Sequence, residues 1–190
     1  KIIANGVTDI QSREFQYVLQ NQAAFEAVAS PKRVQRKIEN IVTEFLTPAV
    51  EYRDTIAYAK KRLIAQTIQS RKNDSLLFDF DMRIAEKTAN WKKYKAVTKA
   101  STELFLYKDA KSLQEIASNY LKHIADTASL KYAIQWAQQA LTINETYDTQ
   151  ILLAKLYQKT KDTKQAIDWA NKAKRSEERR VGKECEDLCR

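Results

Sequence analysis

The chain has 190 residues, with 33 Lys+Arg against 24 Asp+Glu for a formal charge of +9, two Gly, two Pro, two Cys and one His. Ordinary proteins carry roughly 7% Gly and 5% Pro, so this shortage of turn-makers argues against a β-sandwich, a barrel or a Gly-rich phosphate loop. Its 44% hydrophobic and 30% charged residues exclude a disordered chain, and the length suffices for one domain or two small ones around a helical core.

Apolar spacing is helical nearly throughout. Phe15, Val18, Leu19, Gln22, Phe25 and Val28 form one stripe of a helix over about 12–29. Ser30-Pro31 then reads as a restart, with Ser as N-cap and Pro at the first helical position. The next helix carries Val34, Ile38, Ile41, Val42 and Phe45 inward. It is expected to end at Thr47-Pro48, because Pro disfavours helix for the residue before it. A third helix, about 49–71, presents Tyr52, Ile56, Ala59, Leu63 and Thr67 to the core. Asn73-Asp74-Ser75 is a polar break. Helix four, about 75–88, presents Leu77, Phe80 and Ile84. Helix five, about 91–107, presents Tyr94, Val97, Ser101, Leu104 and Phe105. No segment sustains period-two alternation, so no strand is predicted. No window reaches the roughly 18 uncharged apolar residues of a membrane span. The chain starts Lys1-Ile-Ile-Ala with no Met and no signal-peptide pattern, and reads as truncated.

The second half repeats itself. Ala133-Ile-Gln-Trp-Ala-Gln-Gln-Ala140 and Ala166-Ile-Asp-Trp-Ala-Asn-Lys-Ala173 share one pattern at a spacing of 33 residues. Upstream, Ile116-Ala117-x-x-Tyr120 matches Leu153-Ala154-x-x-Tyr157. A period near 34 with this order of small and large residues resembles the tetratricopeptide repeat. The resemblance implies an all-α fold of antiparallel helical hairpins forming a short right-handed solenoid. Residues 111–174 would hold two repeats, 1–110 an N-terminal helical region, and 76–105 a third, degenerate hairpin. The small residues Ala117, Ala133, Ala140, Ala154, Ala166 and Ala173 sit where helix pairs must approach closely. Tyr120 and Tyr157 would fill the groove between helices, and Trp136 and Trp169 occupy equivalent packing positions. The Gly of the repeat's first helix is Ala here, and the Pro after its second helix is missing.

Two further resemblances follow. Asp9-Ile-Gln-Ser-Arg-Glu-Phe-Gln-Tyr-Val-Leu-Gln-Asn-Gln-Ala-Ala-Phe25, followed by Val34 and Ile38, is similar to the segment after the thioredoxin domain in a group of Bacteroidota thioredoxin-family proteins. That likeness spans about 7–174 and implies a helical C-terminal region, with its address in the periplasm or cell envelope. The family's Cys-x-x-Cys motif has no counterpart here, so no catalytic residue carries over. Arg175-Ser-Glu-Glu-Arg-Arg-Val-Gly-Lys-Glu-Cys185 resembles translated sequencing adapter, and 175–190 reads as a non-native tail. Both cysteines, Cys185 and Cys189, lie in it, which sets aside a metal or redox reading of their spacing. The tail's charges cancel, so residues 1–174 keep the whole +9.

Candidate chemistry is sparse. His123 has no Cys or second His beside it and reads as a solvated helix-end residue. Asp79 and Asp81, two apart on a helix, point to different sides and make no acid/base pair. Trp91-Lys-Lys-Tyr94-Lys is the best local polyanion candidate, but no nucleic-acid motif accompanies it. No catalytic residue, metal ligand or cofactor is expected. The reading is a non-catalytic scaffold whose groove includes Asn119, Lys122, Lys155 and Gln158, facing a protein or peptide partner or a thioredoxin domain in cis. The rival readings are a freestanding repeat module, a polyanion- or nucleic-acid-binding helical domain, and an enzyme whose site is assembled from dispersed polar residues.

Overall fold

A computed structural model of the chain describes residues 10–70 and 72–188, with side chains as far as Glu178. The opening Lys1-Ile-Ile-Ala, Asp9, Cys189 and the side chain of Cys185 lie outside the described residues. Among those described, the fold is all-α: ten helices and no strand. No described helix is long and apolar enough to cross a membrane. The helices are α1 Arg13–Gln20, α2 Gln22–Ala29, α3 Pro31–Glu51, α4 Thr55–Gln66, α5 Asn73–Lys87, α6 Trp91–Leu106, α7 Ala110–His123, α8 Thr127–Ile143, α9 Tyr147–Lys159 and α10 Thr163–Leu188. The chain packs as two compact units that divide between Val97 and Thr98, inside α6.

Polar residues start these helices as their chemistry requires. Ser12, Asp54, Asp109, Asp126 and Thr146 each accept a backbone N–H of the first turn, satisfying donors that have no partner within the helix. The stops are less ordinary. Arg53, Ala89 and Lys161 adopt φ of 56°, 52° and 64° just beyond α3, α5 and α9. At each end the next amide reaches back to the last turn: Asp54 N to Ala49 O at 2.8 Å, Asn90 N to Ala85 O at 2.8 Å, Asp162 N to Tyr157 O at 2.9 Å. This left-handed termination is usually given to Gly; here, three residues with a Cβ bear the strain.

In the first unit, Val34, Ile38, Ile41, Val42, Leu46 and Val50 of α3 bury against Phe15, Tyr58, Ala65, Leu77, Phe80 and Ile84. Several expectations change here. The first helix breaks at Asn21, and Val28 is exposed. The second runs through Pro48 to Glu51. Pro48 forfeits one backbone bond, but Ala49 and Val50 beyond it are buried, which offsets the loss. The third helix begins only at Thr55, and the stripe Tyr52, Ile56, Ala59, Leu63 and Thr67 faces outward. Tyr58 and Ala65 take the core positions instead. On α6 the buried register is Tyr94, Thr98 and Thr102, and Leu104 is exposed. Residues 76–105 form most of α5 and α6, joined through the turn at Ala89.

In the second unit α7 packs on α8, and α9 packs on α7, α8 and α10. Helical backbone continues through 175–188 as the end of α10.

Candidate functional site

The second unit is built around Tyr120. Its ring is fully buried and meets Trp136 edge-on, with centroids 5.1 Å apart and planes at 87°. Its hydroxyl shares a hydrogen bond with Thr98 Oγ1 at 2.7 Å. Burial pushes the phenol up to about 12, so it stays protonated and neutral at physiological pH. Ala117, Ala133 and Ala140 are buried alongside; their small side chains let α7 and α8 close up. Tyr132 lies 6.1 Å from Trp136, with Lys99 Nζ 4.5 Å over its ring. The Trp136 Nε1 and Thr102 Oγ1 atoms are buried without a hydrogen-bond partner.

The matching positions in α9 and α10 are placed alike but covered less. Tyr157 is half-buried, its hydroxyl accepting from Gln138 Nε2 at 3.1 Å, and burial raises its pKa. Ala154, Ala166 and Trp169 are half-buried, and Ala173 is fully buried. Lys172 Nζ sits 4.0 Å over the Trp169 ring. Both repeat tyrosines thus bond back to the helix immediately before their own: Tyr120 of α7 to α6, Tyr157 of α9 to α8.

Of the groove candidates, Asn119 is half-buried on α7, and Lys122, Lys155 and Gln158 are exposed. Their helices are in contact. Lys159 Nζ donates to Leu121 O at 2.6 Å, which puts the C-terminal turns of α7 and α9 side by side. The surface they share is polar and cationic. His123 is exposed at the end of α7.

Two arrangements in the first unit escaped the sequence reading. Asp81 of α5 is buried and accepts from Tyr58 Oη at 2.8 Å and from Arg62 Nε at 2.9 and 2.8 Å. Burial, followed by the Asp81 charge, raises the Tyr58 pKa, so this phenol donates a hydrogen bond and is no base. Asp79 points outward to Arg83 at 3.8 Å, so the two aspartates do lie on different sides. The available signal was Tyr58 and Arg62, one turn apart on α4. A cleft of about 380 Å3 is lined by Glu26, Pro31, Lys32, Gln35, Arg36, Glu39 and Lys72, and Glu39 Oε1 is buried there without a partner. Its lysines and arginine are exposed surface groups. The described residues contain no group of three His, Cys, Asp or Glu able to hold a metal ion.

No family model matches the chain, and neither the curated proteins nor the solved structures offer a match.

Proposed function

We propose that the chain is a non-catalytic helical-repeat scaffold of tetratricopeptide type, the C-terminal part of a thioredoxin-family protein whose redox domain precedes it. The repeat part of this reading is supported by the pair of backward-bonding tyrosines, and the thioredoxin-family part rests on the sequence resemblance over about 7–174. A repeat array buries each unit against its neighbour, and in such an array a large residue at one register reaches the preceding helix in every unit. Tyr120 and Tyr157 both bond to the helix before their own, with Thr98 and Gln138 as partners 22 and 19 residues upstream, which supports this reading. On this reading residues 76–105 would be a third, degenerate hairpin. The groove then falls on α7 and α9, at Asn119, Lys122, Lys155 and Gln158. Its cations suit an acidic peptide segment or the acidic face of a domain in cis.

The test has two parts. The reading frame upstream of Lys1 should encode a Cys-x-x-Cys domain; a frame without one reduces the proposal to a freestanding module. The domain so encoded, titrated in trans by calorimetry, should bind at least tenfold more weakly when the four groove positions are changed to Ala. Unchanged affinity refutes the groove.

A further inference from the structure

Tyr52, Ile56 and Leu63 are 85%, 70% and 67% exposed. Ile56 and Leu63 lie with the exposed Ala59 along the outer side of α4, and Tyr52 is exposed in the turn before it. Ile56 and Leu63 are seven residues apart, about 10 Å along the axis. Scattered single apolar residues on a surface need no explanation, but a contiguous line of them marks an interaction site. Arg53 and Lys60 are exposed beside this line, and neither has an ion-pair partner among the described residues. Of the acids nearest in sequence, Glu51 pairs with Lys87 and Arg83, while Asp54 caps α4 and keeps its negative charge beside Arg53. The face is apolar, with Arg53 and Lys60 as its cations and Asp54 as its acid.

We propose that this face of α4 docks on an anionic lipid bilayer, with Tyr52, Ile56 and Leu63 entering the interface and Arg53 and Lys60 meeting the headgroups. The charge selects the occupant. A second copy would oppose two net-cationic faces in a chain of net charge +9, whereas an anionic leaflet attracts such a face and a neutral one does not. The exposure points the same way. Side chains two-thirds or more open to solvent stand clear of the surface, and a fluid interface can close around each one without a preformed groove. Tyr52 presents an apolar ring with a polar tip, the form favoured at the boundary of a membrane. An amphipathic helix lying in that plane buries its apolar side by about 5–10 Å. α4 needs no refolding to do so.

The full chain is sedimented with vesicles of equimolar phosphatidylglycerol and phosphatidylcholine, and with phosphatidylcholine alone. Partitioning is expected with the anionic vesicles only. Withdrawing one buried Ile or Leu from the interface is worth roughly tenfold or more, so Ile56→Asn with Leu63→Asn should lower partitioning at least that much. Arg53→Gln and Lys60→Gln should each lower it about fivefold. Because all four side chains are exposed, circular dichroism and the urea midpoint should stay at their wild-type values. Should the double variant unfold, the single change Leu63→Gln reads the same loss. The proposal is overturned by no partitioning, by equal partitioning to neutral vesicles, or by binding that 0.5 M salt abolishes and the Asn variant leaves intact. A change of oligomeric state in that variant without vesicle binding gives the face to a second copy and equally overturns it.

Discussion

Replacing Arg62 with Met tests whether the Tyr58–Asp81–Arg62 cluster is a buried ion pair that ties α4 to α5. Met keeps most of the stem volume and removes the guanidinium. Asp81 is then left with the Tyr58 hydroxyl at 2.8 Å as its described donor, and its side chain is only 10% exposed. Removing one partner of a fully buried pair costs about 3–5 kcal/mol. Arg62 is 32% exposed, so water already screens its side of the pair, and the expected loss is about 2 kcal/mol. Asp81→Leu alone should cost a similar amount, because it strands the guanidinium and the phenol. The double variant should lie within about 1 kcal/mol of wild type, since an apolar pair of similar volume commonly replaces a buried ion pair with little loss. The coupling across the cycle is then about 3–4 kcal/mol. Urea unfolding of the full chain followed by far-UV circular dichroism measures it, a 2 kcal/mol loss moving the midpoint by about 1 M. A cost below about 0.5 kcal/mol for Arg62→Met, or additive single changes, refutes the reasoning and makes this an ordinary surface contact.

Trp136→Ala should destabilise by about 3–5 kcal/mol as a core cavity, and Trp169→Ala by no more than about 1 kcal/mol, because Trp169 is only half-buried; equal losses in denaturant unfolding would contradict the described packing. Arg53→Gly, Ala89→Gly and Lys161→Gly should each stabilise by up to about 1 kcal/mol, since Gly occupies left-handed φ without the Cβ clash; a lower thermal midpoint in all three would contradict the helix ends seen here. Burial raises the Tyr120 phenol to about 12, so its contribution is fully present below the unfolded value near 10 and is lost as pH rises through the folded one. Tyr120→Phe should flatten that alkaline decline of stability, at a cost near 1 kcal/mol for the Thr98 bond at lower pH, and an unchanged alkaline slope counts against the burial.

Most helix starts were legible because they depend on local chemistry: a side-chain oxygen at the cap, or an apolar residue every third or fourth place; the break at Asn21, inside what the spacing read as one helix over 12–29, was not. The inward faces of α3 and α5 followed from the same spacing. α4 did not, and the reason is specific. Its twelve residues carry apolar groups on both sides, with Tyr58, Ala65 and part-buried Ile64 on one and Ile56, Ala59 and Leu63 on the other. Periodicity cannot choose between two apolar faces. The choice was made by Asp81 on α5, whose buried carboxylate requires Tyr58 and Arg62 inside. Pro48 was misjudged for a related reason. A local rule ended the helix there, while burial of Ala49 and Val50, contributed by other parts of the chain, carried it on. The groove candidates were read as surface positions from helical register alone. The Lys159–Leu121 bond that aligns their helices depends on two residues with no local signature.

The two repeat units show what a sequence repeat transmits. Ala-Ile-x-Trp-Ala-x-x-Ala recurs letter for letter at the shared positions, yet Trp136 is buried and Trp169 is not. The pattern specifies register, the direction in which each side chain leaves its helix. Burial depends on what lies over that direction. Trp136 has Tyr120 and Tyr132 against it, whereas the contact described for the Trp169 ring is the Lys172 ammonium one turn away on its own helix. The same logic separates the tyrosines. Both hydroxyls find a partner on the preceding helix, because register carries that contact along. The partner is Thr98, itself buried, for one and exposed Gln138 for the other. Stability should therefore be graded along the second unit: α7 and α8 are held by the buried Tyr120–Trp136 contact, and α10, whose Trp169 is only half-buried, opens first. Amide exchange should show α10 losing protection before α7 and α8, and uniform protection across the three would mean that the second unit melts as one.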